Sequence, residues 1–81
     1  MLSEPMTLYK LMNLYMLKKV NFPLTNAQLT DFFLQHEYAS YFTLQQALGE
    51  LKDSGLIHAE STHSTTRYEI TREGEETLTF F

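Results

Sequence analysis

The side chains in this chain with chemistry to offer are few and scattered. His36, His58 and His63 are its only imidazoles, and it has no cysteine. His58 and His63 flank a polar run with no third ligand at a recognisable spacing, so a zinc site is not expected. Glu73, Glu75 and Glu76 crowd one short stretch. Acids in the first turns of a helix suit the positive end of its dipole, and these read as structural carboxylates, not as an acid–base pair. There is no nucleophile elbow and no glycine-rich phosphate loop, and the three glycines are accounted for by helix packing or punctuation. Neither catalysis nor a cofactor is expected. What remains is a polar helix face, Gln45, Gln46, Gly49, Lys52 and Asp53, set against an inward stripe of Leu44, Ala47 or Leu48, and Leu51.

Those residues need a scaffold, and one stretch from Thr25 to Ile70 supplies it. Thr25-Asn26-Ala27-Gln28 has the form of a capping box, Thr at the cap and Gln three residues later. The helix it opens turns Leu29, Phe32 and Phe33 inward and runs to about His36 or Glu37. Tyr38-Ala39-Ser40-Tyr41 is the turn. The next helix starts near Ser40 or Thr43 and covers about 41–54, with Gly55 as the left-handed residue that ends it. Ile57 to Ser61 and Arg67 to Ile70 alternate as strands, joined by the polar loop Thr62 to Thr66. Thr71 caps a last helix. Helix, turn, helix and hairpin in that order make binding of duplex DNA the first hypothesis.

The flanks are less regular. Met1 to Pro5 reads as a loose end, with Ser3 or Glu4 available as a cap and Pro5 suited to a first helical position. From Met6 to about Lys19 the chain is rich in Leu and Met. Leu8, Leu11, Met12 and Tyr15 make one stripe, and Tyr9, Leu14, Met16 and Leu17 widen it, with Lys10, Asn13, Lys18 and Lys19 as its polar positions. A helix apolar on so many sides is expected to be buried on more than one face. Pro23 favours an extended Phe22, and a short strand fits there. The end at Thr79-Phe80-Phe81 is abrupt and apolar. Either those rings pack on the first helix, or the natural protein continues beyond Phe81.

With 81 residues the chain is long enough for one small domain, 1–81, and 43% hydrophobic content is enough to fold it. No apolar run approaches the ~20 residues of a membrane span, and no signal peptide is evident. A cytoplasmic domain without a membrane partner is expected. Six basic residues against ten acidic ones leave a net charge of −4, which is unfavourable for phosphate binding.

Leu44-Gln45-Gln46-Ala47-Leu48-Gly49-Glu50-Leu51-Lys52-Asp53-Ser54-Gly55-Leu56-Ile57 and Arg67-Tyr68-Glu69-Ile70-Thr71-Arg72-Glu73-Gly74 resemble the recognition-helix and wing phrases of winged helix-turn-helix bacterial transcription regulators of the MarR and PadR type. Phe22-Pro23-Leu24-Thr25-Asn26 and Tyr41-Phe42-Thr43-Leu44-Gln45-Gln46 also look like a bacterial family of regulators known only as a domain of unknown function, whose members carry a longer C-terminal part. The resemblance implies an α+β, mainly α fold in the order helix, short strand, helix, helix, β-hairpin wing (about 57–70) and helix.

It also implies a homodimer on double-stranded DNA. Gln45 and Gln46 match base readers, since Gln pairs with the N6/N7 edge of adenine. Ser40, Tyr41 and Thr43 match phosphate contacts at the start of the recognition helix. Lys52 is that helix's one cation, and His63, Thr65 and Arg67 match the contact positions of the wing. Dimerisation is expected through the first helix (Tyr9, Leu14, Met16 and Leu17) and the C-terminal helix. A dimer would carry −8, twice the −4 of one chain, so DNA binding is expected to be weak and salt-sensitive. The alternative, favoured by the acidic balance, is a winged-helix protein-interaction or dimerisation module that does not bind DNA.

Overall fold

The computed structural model describes residues 3–35 and 40–80. The elements run α1 (Ser3–Val20), β1 (Leu24–Thr25), α2 (Asn26–Gln35), α3 (Tyr41–Asp53), β2 (Ile57–Ser61), β3 (Thr66–Ile70) and α4 (Arg72–Leu78). The strands form one antiparallel sheet in the order β1-β3-β2, with Leu24 opposite Tyr68 and Ile57 opposite Ile70. This is the mainly helical α+β arrangement of a winged helix-turn-helix. The first half of the expected turn, Tyr38 and Ala39, and the expected helix end at His36 or Glu37 lie outside the described residues.

The sequence terminates its helices with unambiguous chemistry. In the capping box at α2, the Thr25 N–H donates to Gln28 Oε1 at 2.9 Å and the Gln28 N–H donates back to Thr25 Oγ1 at 3.0 Å. At α3 the Thr43 N–H donates to Ser40 Oγ at 3.2 Å, which settles the start at Ser40 rather than Thr43. The far end of α3 closes in a Schellman motif: the Leu56 N–H reaches Leu51 O, and the Gly55 N–H reaches Lys52 O, each at 3.0 Å. Gly55 takes φ 79° there, a conformation that costs any residue with a Cβ. Thr71 caps α4 by accepting from the Gly74 N–H at 3.1 Å, and its own hydroxyl donates to Gly55 O at 2.7 Å. One side chain thus joins the end of α3 to the start of α4.

The core joins Leu14 and Leu17 of α1 to Leu24, Leu29, Phe33, Leu44, Leu48, Leu51, Ile57 and Tyr68. Both Ala47 and Leu48 are buried, so α3 uses each of the two alternatives for its inward stripe. Gly74 is also buried, and a Cβ there would stand 2.2 Å from Leu56 O. Only glycine lets α4 lie so close to the chain entering β2.

Several expectations about the flanks are corrected. Residues 3–5 are the first turn of α1, not a loose end. Leu14 and Leu17 are 1% and 2% exposed and belong to the chain's own core, so they are not free to make a dimer contact. The outward side of α1 instead carries Leu8, 55% exposed, and Tyr15, 59% exposed. Asn13 is no surface residue either. It is fully buried, its amide donating to Tyr9 O at 2.8 Å while its Oδ1 has no partner among the described residues. Lys10 reaches across to α3 and pairs with Glu50 at 2.6 Å. At the other end Phe80 is 83% exposed and does not pack on α1, and Phe81 lies outside the described residues.

Candidate nucleic-acid interface

Burial of Leu44, Ala47, Leu48 and Leu51 fixes the rotation of α3. Phe42, Gln46, Gly49 and Asp53 then recur at helical spacing along the side facing away from the core. Phe42 is 82% exposed, with its ring edge-on to Tyr41 at 6.0 Å between centroids. Gly49 serves neither packing nor punctuation. A Cβ built on it would meet nothing within 4 Å, so its lack of a side chain leaves a bare stretch of helix surface.

Gln45 turns toward the protein rather than outward. Its amide pairs reciprocally with that of Asn26: Asn26 Nδ2 donates to Gln45 Oε1 at 2.8 Å, and Gln45 Nε2 donates to Asn26 Oδ1 at 3.1 Å. Gln45 also donates to Thr30 Oγ1 at 3.3 Å, while Asn26 donates to the Tyr68 hydroxyl at 3.1 Å. The residue expected to read a base therefore ties α3 to α2 and to the sheet. The signal for this was Asn26 itself. With Thr25 already capping α2, its amide is spare for another partner.

Gln46 remains exposed on the outward side and donates to Glu50 Oε2 at 3.0 Å. With Lys10 and Gln46 both hydrogen-bonded to it, the Glu50 carboxyl is held below its ordinary pKa of 4.5. Thr43 is half-buried on the α1 side of α3, away from the wing, and Ser40 is occupied by its capping bonds.

The wing closes more tightly than the loop Thr62 to Thr66 expected from the sequence, with Ser61 opposite Thr66 and only His63 and Ser64 at its tip. The Thr62 N–H donates to Thr65 O at 2.7 Å, and the Ser61 and Thr66 hydroxyls meet at 3.1 Å across the base of the loop. This holds His63 and Thr65 on one wall of an open groove of about 630 Å³, faced by Thr25, Asn26, Thr30 and Asp31 of the α2 end and by Tyr41. Its lining mixes polar and apolar surface, the polar part supplied mainly by Thr, Ser and Tyr hydroxyls and the Asn26 amide, with His63 and Asp31 as the titratable groups besides Tyr41.

Three of the expected site residues, Tyr41, His63 and Thr65, are thus brought together in one groove. Gln46 does not line it and lies on the outward side of α3. Lys52 sits three turns along at the far end of that helix. Arg67 alternates with the buried Tyr68 and so projects from the solvent side of the sheet, across from Glu60. Neither Lys52 nor Arg67 has an ion-pair partner among the described residues, whereas Lys10 and Arg72 are paired with Glu50 and Glu76. Residues missed from the sequence are Asn26, Thr30 and Phe42. No group of three or more His, Cys, Asp or Glu side chains converges among the described residues. No helix there is long and apolar enough to cross a membrane.

The family model described as Domain of unknown function (DUF4364) matches residues 9–81. No curated protein and no solved structure matches the chain.

Proposed function

We propose that this chain, which belongs to the family described as Domain of unknown function (DUF4364), is the DNA-binding domain of a cytoplasmic transcription regulator. In this reading α3 enters the major groove of duplex DNA, the wing follows the backbone, and the domain has no catalytic role. The groove joining Tyr41, His63 and Thr65 to the capped start of α2 carries the reading. Its hydroxyls suit phosphate and sugar, and Tyr41 joins it to the exposed start of α3. The likeness of the recognition-helix and wing phrases to MarR and PadR regulators points the same way. So do the free cations Lys52 and Arg67.

The test is fluorescence anisotropy with random-sequence duplex at about 50 and 200 mM salt. Micromolar binding that weakens about tenfold or more over that range is expected. Gln46→Ala combined with Arg67→Ala should weaken it further. Absence of binding at the lower salt would sink the reading.

A second reading, a winged-helix dimerisation module without DNA binding, draws on α1. Tyr15 stands as a ridge between two apolar grooves. One, of about 580 Å³, is lined by Met12, Met16, Val20 and Phe32, and the other, of about 500 Å³, by Leu11 and Leu78. A ridge flanked by grooves is self-complementary under a two-fold axis. This favours a homodimer through Leu8, Leu11, Met12, Tyr15 and Met16 with α4 alongside, in place of a contact centred on Leu14 and Leu17. The homodimer belongs to both readings, and DNA binding separates them.

A further inference from the structure

On the premise of the DNA-binding reading, we infer that Phe42 is the specificity-determining residue and that it reads the C5-methyl group of thymine. Four observations converge on this. Gln45 is held by Asn26 and Thr30 and is not available to a base. Phe42 is the most exposed large apolar side chain of α3 and lies in its first turn, the part of a recognition helix that meets base edges. Its contact with Tyr41 braces the ring edge-on. One and two turns further on stand Gln46 and then the bare surface at Gly49, where the duplex can approach α3 without a side chain in the way.

In the major groove the thymine methyl is the one apolar feature of a base pair, and aromatic or aliphatic side chains recognise it by contact. Gln suits the adenine edge one step away. Charge strengthens the case. Glu50 and Asp53 share α3 with Lys52, and the chain carries −4 overall, so attraction to phosphate is small. Apolar contact with base edges is left to supply an unusually large part of the discrimination. The ligand class is therefore duplex DNA containing A·T pairs.

The experiment compares three alternating duplexes, poly(dA-dT), poly(dA-dU) and poly(dG-dC), with the full chain and with Phe42→Ala. The dA-dU duplex differs from dA-dT only by the thymine methyls. The wild-type chain is expected to bind dA-dT about fourfold more tightly than dA-dU, the factor that corresponds to burying one methyl group, and dG-dC most weakly. Phe42→Ala, at an exposed position, is expected to keep its helical circular dichroism and to bind dA-dT and dA-dU alike. Equal wild-type binding to dA-dT and dA-dU, with salt-dependent binding intact, overturns the inference and leaves the DNA-binding reading standing. A preference for dA-dT that survives in Phe42→Ala overturns it too, since duplex shape and not this ring would then be read. Binding to none of the three removes both.

Discussion

At the scale of single residues, the three glycines show how differently one residue type can be constrained. Gly74→Ala would drive a Cβ to 2.2 Å from Leu56 O and 2.7 Å from Ile70 Cγ1, so backbone has to move. A loss of about 2–3 kcal/mol is expected, at the upper end of overpacking costs. Gly55→Ala has open space around it but keeps φ 79°, and a loss of about 1 kcal/mol is expected. Gly49→Ala has room and ordinary helical geometry, and a gain approaching about 1 kcal/mol is expected from helix propensity. Urea denaturation of the three variants orders them, and a destabilising Gly49→Ala would contradict the open surface described for α3. The paired amides allow a second test. A double-mutant cycle on Asn26→Ala and Gln45→Ala should return a coupling of about 1 kcal/mol. Gln46→Ala, exposed, should leave stability unchanged within about 0.5 kcal/mol.

At the scale of elements, the helix ends were legible in the sequence and the rotation of α1 was not. Thr25 with Gln28, Gly55 and Thr71 announce their helix ends because capping is local chemistry, complete within four or five residues. The phase of α1 depends on what covers it, and its apolar residues surround most of the circumference. Leu14 and Leu17 cannot be told from Leu8 and Tyr15 by pattern alone. The site shares that limit. Periodicity says that Gln45 leaves the inward stripe, but not that Asn26 stands across from it. The joint between α1 and α3 is visible only in three dimensions, and it makes a pH prediction. The Glu50 carboxyl titrates below its ordinary 4.5 in the folded chain, chiefly because Lys10 and then Gln46 hydrogen-bond to it. Between the two values the unfolded chain binds more protons, so the stabilisation is complete above about pH 4.5 and is lost as pH falls through the folded value. Denaturation midpoints followed from pH 6 to about pH 3 should fall less steeply in Glu50→Gln than in the wild type. Parallel curves would mean that the Lys10 contact does not persist in solution.

For the whole molecule, the proposed DNA binding requires an acidic domain to hold a polyanion, and the cations on α3 and the wing bound the strength of that hold. On α3 and the wing each chain offers Lys52 and Arg67 without ion-pair partners among the described residues, while Lys18 and Lys19, also outside the ion pairs, sit at the far end of α1. Counterion release from two phosphate contacts gives a slope of log K against log salt of about −2, a weak hold for a lone domain. Two copies joined through α1 would present both sets of contacts to one duplex, with a slope of about −4. If both proposals hold, dimerisation and DNA binding are coupled by charge, even though α1 and the wing need share no residue. Tyr15 is the lever that separates them, because it is mostly exposed and its replacement leaves the core of Leu14 and Leu17 intact. Tyr15→Asp is expected to sediment as a monomer at concentrations where the wild type is a dimer, with an unchanged circular dichroism spectrum. Its DNA affinity should fall, and its salt slope should drop to about half the wild-type value. A monomeric variant that kept the full slope would show that one chain makes all the phosphate contacts. A wild type that stays monomeric would remove the apolar ridge of α1 from the interface and leave DNA binding to the wing and α3 of a single chain.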